Sequence, residues 1–192
     1  MKKLILIGGG GHCKSCIDVI ESTKQYEIAG ILDTPDKVGQ KVLNYEIIGT
    51  DNDIEKYAKQ GMAFLISVGQ IESANLRVNL YNKVKNCGGE FATIISPIAY
   101  VSNHANIGVG TIVMHGAIVN AGANIGENCI INTKSIIEHD CIIGNNCHIA
   151  VSAVLAGAVN LGCDSFIGAN VTVIQCVNLP PKSFIKAGSV AK

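Results

Sequence analysis

The sequence predicts two units in series: a parallel sheet covered by helices, then a solenoid of parallel strands shaped as a triangular prism. Three observations carry this. First, from Ala99 to Gly188 the chain divides into hexads whose third place is always aliphatic: Val101, Ile107, Val113, Val119, Ile125, Ile131, Ile137, Ile143, Ile149, Leu155, Leu161, Ile167, Val173, Leu179 and Ile185. Second, ANIGVG, ANIGEN, CIIGNN and VNLGCD recur at every third hexad and set Gly108, Gly126, Gly144 and Gly162 18 residues apart. Third, the chain before Ala99 reads strand, helix, strand, helix, strand, the order of a parallel sheet with covering helices.

Residues 3–7 form a short apolar strand, followed by Gly8, Gly9, Gly10, Gly11 and His12. Residues 14–22 read as a helix and residues 27–32 as a second strand ending at Asp33 and Thr34. Residues 37–49 read as loop with a short strand at 46–48. Asp51 is expected to cap a helix through Lys59, with Ile54 and Tyr57 on its inner face. Residues 63–68 give another strand, ending at Gly69 and Gln70. Leu76, Leu80 and Val84 mark the inner face of a helix over 73–86, which Gly88 and Gly89 close. Residues 91–95 form the last strand before Ser96 and Pro97.

The glycine turn places free backbone N–H groups at a helix N-terminus, which suits a phosphate. Asp33 stands where an acidic residue bonds a ribose hydroxyl in nucleotide-binding sheets. The strict dinucleotide pattern wants glycine at position 13, where this chain has Cys13. NAD is therefore disfavoured and a nucleotide of another kind remains open, as does a tight turn without a ligand.

In the second unit a single hexad cannot bury its own apolar side chain and must stack on its neighbours. Six residues per side and three sides per coil give a prism of about five coils, each rising roughly 4.8 Å. Places one and three share the inward face. The glycines spaced by 18 are expected at a corner needing positive φ. Cys129, Cys141 and Cys147 hold first places and point inward. Cys129 and Cys147 stack, within reach of a disulfide, which a cytosolic chain disfavours. Cys13 and Cys16 form a CxxC without a second pair, which reads as helix packing rather than zinc or redox chemistry.

Hydrophobic residues make up 48% of the 192, charged residues 16%, and the formal net charge is zero. No basic stripe of the kind that binds nucleic acid is present. The apolar run after Met1-Lys2-Lys3 is too short for a signal peptide, and no apolar stretch is long enough for a transmembrane helix. The protein is expected in the cytoplasm.

His104, His115, His139 and His148 all fall in the repeats. His139 sits at the fifth place of SIIEHD, past the inward Ile137, with Glu138 and Asp140 on either side. An adjacent carboxylate orients an imidazole and favours its protonated form, as general-base work requires. Gly157 follows 18 residues later, which stacks a backbone N–H roughly 5 Å away. His148 takes an outward second place on a neighbouring side, and Asn132 a corner. The alternative is a solvated polar corner without a role.

GGGGHCKSCIDVI, ILDT, SVGQ and INTKSIIEHDCIIGNNCHIAVSAVLAG together resemble the hexapeptide-repeat sugar acyltransferases of the NeuD/PglD type, over essentially the whole chain. The resemblance implies a Rossmann-like nucleotide-sugar domain over 1–97 and a left-handed parallel β-helix over 98–192. The general rule for parallel crossovers gives the other hand. It implies acetyl-coenzyme A as co-substrate, no metal, and a homotrimer. By the same resemblance Gly10, Gly11, His12, Asp33, Thr34, Gly69 and Asn132 contact the sugar nucleotide. His139 is the general base, oriented by Asp140, and His148, Gly157, Ala169 and Ala187 line the acetyl-coenzyme A site. The expected reaction is direct N-acetylation of a UDP-linked 4-amino sugar. O-acetylation of a sialic acid and a non-catalytic nucleotide-sugar-binding role are the alternatives. A metal-dependent hydratase on the same β-helix needs three suitably spaced histidines, which the spacing here does not provide. Two departures from the family pattern are Cys13 in the glycine loop and the ending AGSVAK, where a proline usually precedes the final Ala-Lys.

Overall fold

A computed structural model describes all residues, 1–192. The chain packs as two units, Met1–Gly69 with Leu76–Ala92, and Gln70–Asn75 with Thr93–Lys192.

In the first unit the strands are β1 (Lys2–Ile7), β2 (Tyr26–Leu32), β3 (Lys41–Val42), β4 (Tyr45–Gly49), β5 (Ala63–Ile66) and β6 (Glu90–Phe91). They form one sheet in the order β3-β4-β2-β1-β5-β6. All neighbours are parallel except β3 with β4. The helices are α1 (Gly11–Thr23), α2 (Ile54–Lys59) and α3 (Asn75–Asn86). β1 has β2 on one side and β5 on the other, so the order reverses at β1. The crevice at the carboxyl ends of such strands is where ligands bind in open α/β sheets. The sheet core includes Ile5, Ile7, Leu32, Phe64 and Ile66, with Ile54 and Tyr57 of α2 and Leu80, Tyr81 and Val84 of α3 packed on it.

Three expectations are corrected here. The capping residue is Thr50, not Asp51, and it closes a 3-10 turn, Asp51–Asp53, that leads into α2. The Thr50 hydroxyl accepts from Asn52 N–H, and the Asp53 carboxylate accepts from Thr50 N–H in a capping box. Leu76 is 58% exposed; the side chains of α3 that are buried are Arg77, Leu80, Tyr81 and Val84. Arg77 escapes an apolar-periodicity reading because its charge is met inside the fold, Nη1 donating to the carbonyls of Ile66 (2.9 Å) and Val68 (2.6 Å). The single strand expected at 91–95 is two: Glu90–Phe91 closes the first sheet beside β5, whereas Ile94–Ile95 opens the β-helix beside Ile112–Val113.

The second unit is a left-handed parallel β-helix of two-residue strands, from Ile94–Ile95 to Val190–Ala191, in three sheets. Residue i pairs with residue i+18 throughout, as in Ile118 with Ile136 and Ile142 with Asn160. Places one and three fill the prism: Cys129, Ile131, Ile137, Cys141, Cys147, Ile149, Leu155 and Val159 are all fully buried. The second places face outward and differ by side. The first face carries Ile112, Ile130, His148, Phe166 and Phe184. The second carries Tyr100, Ile118, Ile136, Val154, Thr172 and Val190. The third carries Asn106, Asn124, Ile142, Asn160 and Asn178.

The expected role of Gly108, Gly126, Gly144 and Gly162 is also corrected. None has positive φ. They are needed because a Cβ would strike the next coil: that of Gly144 falls 2.6 Å from Cys163 N, and that of Gly162 overlaps Pro181. The left-handed turn lies two residues later, at the sixth place of every hexad after the first. Gly110, Gly116, Gly122, Asn128, Lys134, Asp140, Asn146, Ser152, Ala158, Asp164, Asn170, Cys176, Lys182 and Gly188 there have φ between 55° and 78°. Only some of these are glycine, asparagine or aspartate, the residues that enter this region at low cost. Coil stacking pays for the rest, which is why no simple residue signature marked the position.

Candidate active site

Two places gather the candidate residues, one in each unit. In the first unit the turn after β1 is shaped by contacts that account for two of its four glycines. Gly8 has φ +103°, and a Cβ there would overlap Val68. A Cβ on Gly9 would meet Asp33 Oδ2 at 3.0 Å and Ile47 Cδ1 at 3.3 Å. Gly10 and Gly11 have nothing within 4 Å of such an atom, so the packing of the chain itself does not demand glycine at either. Ser67 ties the turn to β5, its hydroxyl donating to Gly8 O at 2.7 Å and Ile7 O at 3.1 Å.

Asp33 follows the end of β2 with its carboxylate already engaged. Oδ2 accepts from Gly9 N–H at 2.7 Å and Oδ1 from Thr34 N–H at 2.7 Å, and Lys37 Nζ lies 3.2 Å from both oxygens. Burial works to raise the carboxyl pKa, but the Thr34 and Gly9 amides and the Lys37 ammonium outweigh it and hold it below the ordinary value. Asp33 thus fastens the glycine turn as well as facing the crevice. Beside it lies a cavity of roughly 180 Å³ lined by Ile7, Gly8, Leu32, Asp33, Thr34, Pro35, Asp51, Val68, Leu76 and Leu80. His12, the second residue of α1, has its Cβ 3.6 Å from a Cβ built on Gly69. Cys13 and Cys16 are fully buried on α1. Burial pushes the Cys13 thiol up to about 11 and raises Cys16 further, which makes both poor thiolates.

In the β-helix the candidates fall on the two edges of the second face, except His148, which stands on the first face. His139 and Gly157 share the corner between the second and third faces. His139 Nδ1 is 2.8 Å from Asp140 Oδ2, and both side chains are mostly exposed. With Nδ1 held by the carboxylate, Nε2 is left for proton transfer. The ring lies over Gly157, so that a Cβ there would come 2.6 Å from Nε2 and 2.7 Å from Cε1. Only glycine leaves room for the imidazole in this pose. The backbone is strapped on both sides, Asp140 N–H donating to Ala121 O at 3.2 Å and Ala158 N–H to His139 O at 2.9 Å. Glu138 Oε2 accepts from His139 N–H at 3.4 Å.

Asn132, Ala169 and Ala187 lie on the other edge, the corner between the first and second faces. His148 is 8% exposed rather than open on its outward place. Its Nδ1 lies 2.6 Å from Gln70 O, which can only accept, so Nδ1 carries the proton. Its Nε2 then accepts from Asn132 Nδ2 at 3.0 Å, the Asn132 Oδ1 being occupied by Thr133 N–H at 2.8 Å. Gln70 also donates through Nε2 to Asn146 O and Ser165 O. Sequence reading assigned Gln70 no part in the site beyond the SVGQ motif, since residues 78 apart carry no periodic signal. His104 is exposed at an earlier corner, and His115 bonds Ser96 through Nδ1 at 2.6 Å.

Comparison with known proteins bears on both units. Residues 3–84 match the PglD N-terminal domain and residues 122–157 the bacterial transferase hexapeptide (six repeats). PerB from Caulobacter crescentus, solved in complex with CoA and GDP-perosamine, is 31% identical with a TM-score of 0.92, the match covering 100% of this chain and 89% of that one. The acetyltransferase domain of PglB from Neisseria gonorrhoeae FA1090 is 27% identical with a TM-score of 0.91, covering 100% and 92%. A UDP-N-acetylbacillosamine N-acetyltransferase of Bacillus subtilis (strain 168) is 32% identical over 116 residues, 59% of this chain. The match spans about half of that curated relative, 52% of its length.

Proposed function

Because the chain belongs to the hexapeptide-repeat sugar acyltransferases of the NeuD/PglD type, we propose that it moves acetyl from acetyl-coenzyme A to the 4-amino group of a UDP-linked amino sugar. The reaction serves bacterial glycan biosynthesis in the cytoplasm. Residues 1–97 hold the sugar nucleotide and residues 98–192 the coenzyme. One observation carries the reading: the His139–Asp140 pair at 2.8 Å, with the imidazole lying over Gly157.

The mechanism is direct transfer. The amine attacks the thioester carbonyl while His139 Nε2 takes its proton, and Asp140 stabilises the imidazolium that forms. The Gly157 N–H donates to no protein acceptor and steadies the developing oxyanion. The tetrahedral intermediate collapses as the thiolate of coenzyme A leaves and takes the proton back from His139. On the nucleotide side, Gly10 and Gly11 keep the turn bare, so that backbone amides at the start of α1 meet the diphosphate. His12, Thr34 and Gly69 border the nucleotide, and Asp33 holds the turn in shape.

The assembly is a trimer. The outward second face is apolar but for Thr172, with Tyr100 58% and Val190 59% exposed. His139 and Gly157 are on one edge of that face, Ala169 and Ala187 on the other, with Asn132 held there by His148. A single chain thus carries the two walls of the coenzyme site on opposite edges. A closed ring, in which one edge of each copy meets the opposite edge of the next, completes the site.

The test is a competition with acetyl-coenzyme A between a UDP-linked 4-amino sugar and free sialic acid, the acetylated product identified by NMR. N-acetylation of the nucleotide sugar is expected. Turnover of sialic acid alone would establish O-acetylation instead. Light scattering at micromolar concentration reads the trimer directly, and a stable monomer would refute it.

A further inference from the structure

We propose that Gly122 is a positioning residue for this reaction: the space left by its absent side chain is where the Asp140 carboxylate lies while it holds His139. The inference rests on the general-base reading of His139 given above. Gly122 precedes Asp140 by one coil at the same corner. A Cβ built on Gly122 overlaps Asp140 Oδ1 and comes 3.4 Å from Asp140 Cγ, while Oδ2 of the same carboxylate reaches His139 Nδ1. The imidazole leans over the coil above, where Gly157 leaves it room, and the carboxylate over the coil below, where Gly122 does. The backbone cannot shift to relieve a clash, because Gly122 N–H is bonded to His104 O at 3.0 Å and Asp140 N–H to Ala121 O at 3.2 Å. The carboxylate must swing instead, taking Oδ2 off Nδ1.

A neighbouring corner displays what happens when the place below is filled. There Asn128, Asn146 and Asp164 occupy equivalent sixth places on successive coils. Asn128 Nδ2 donates to Asn146 Oδ1 at 2.9 Å, and Asn146 Nδ2 to Asp164 Oδ1 at 2.9 Å. An asparagine below an aspartate captures the carboxylate along the corner. Gly122 keeps Asp140 out of such a ladder and leaves it to the imidazole.

The discriminating variant is Gly122→Asn. Asparagine accepts the left-handed backbone, as Asn128, Asn146 and Asn170 do in this chain, so the coil should fold while Asp140 is drawn from His139. Steady-state kinetics with acetyl-coenzyme A and a UDP-linked 4-amino sugar are compared for wild type, Gly122→Asn, Asp140→Ala, the double variant and His139→Ala, with a thermal melt of each. Gly122→Asn should lower kcat by about 10- to 100-fold, the usual cost of misplacing a catalytic group by about 1 Å. The KM for acetyl-coenzyme A and the melting temperature should stay near wild type. The double variant should be no slower than Asp140→Ala, since both act through one carboxylate. Normal kcat in Gly122→Asn, with His139→Ala and Asp140→Ala impaired, overturns this inference alone. So does a loss that multiplies onto that of Asp140→Ala. Wild-type turnover in His139→Ala overturns the general-base reading and this inference with it.

Discussion

Replacing Gly157 by alanine tests the geometry of the His139 corner most sharply. The new methyl would stand 2.6 Å from His139 Nε2, 2.7 Å from Cε1 and 3.3 Å from Cδ2. Ordinary contact is about 3.5 Å, so the imidazole must retreat by roughly 0.9 Å. It can do so into solvent, since its side chain is 63% exposed, at the expense of the Asp140 contact. The fold therefore loses little, within about 0.5 kcal/mol as for surface substitutions. The base does not keep its aim: a displacement of about 1 Å costs on the order of 100-fold in rate. Release of free coenzyme A, followed at saturating substrates, should show kcat falling by roughly that factor, with an unfolding midpoint close to wild type. Wild-type kcat would mean that the imidazole does not work from this pose. A large fall in the midpoint would mean that Gly157 serves coil packing instead.

Other outcomes follow from the same geometry. Gly144→Ala should do the opposite of Gly157→Ala: its Cβ would meet backbone, Cys163 N at 2.6 Å and Cα at 2.9 Å. A cost of about 1–3 kcal/mol for overpacking is expected in denaturant melts, with kcat per folded molecule retained. His148→Ala removes the bonds to Asn132 and Gln70 and should raise the Kd for acetyl-coenzyme A by calorimetry more than it lowers kcat. Asp33 has a carboxyl pKa held below its unfolded value. Its contribution to stability is therefore complete above the ordinary carboxylate range near 4 and is lost as pH falls through the lower folded value. Acid melts of wild type and Asp33→Asn should converge there, and persistence of the difference at the acid end would contradict the pairing with Gly9, Thr34 and Lys37.

The β-helix was largely legible because its period is its structure. A residue and its partner 18 places on must stack, so placing Gly157 beside His139 needed only counting. The same reasoning misjudged the glycine series, since it could not tell a backbone that turns left from one approached too closely by the next coil. The sixth place escaped because lysine, serine, alanine and cysteine there reveal nothing of their conformation. In the first unit the boundary at residues 91–95 was hidden by composition: Phe91 and Ile94 are equally suited to a strand and serve different sheets. The links from Gln70 to His148 and from Arg77 to the end of β5 join distant or polar residues that no hydrophobic pattern records.

The most direct test of the central claim is a single-turnover measurement of acetyl transfer from acetyl-coenzyme A to a UDP-linked 4-amino sugar, for wild type and His139→Ala, with coenzyme binding measured alongside. The account predicts an acetyl group on the amine of the nucleotide sugar and a rate about 10²- to 10⁴-fold lower in His139→Ala, with acetyl-coenzyme A still bound. An unchanged rate in His139→Ala, or no acetylated nucleotide sugar from wild type, would contradict it.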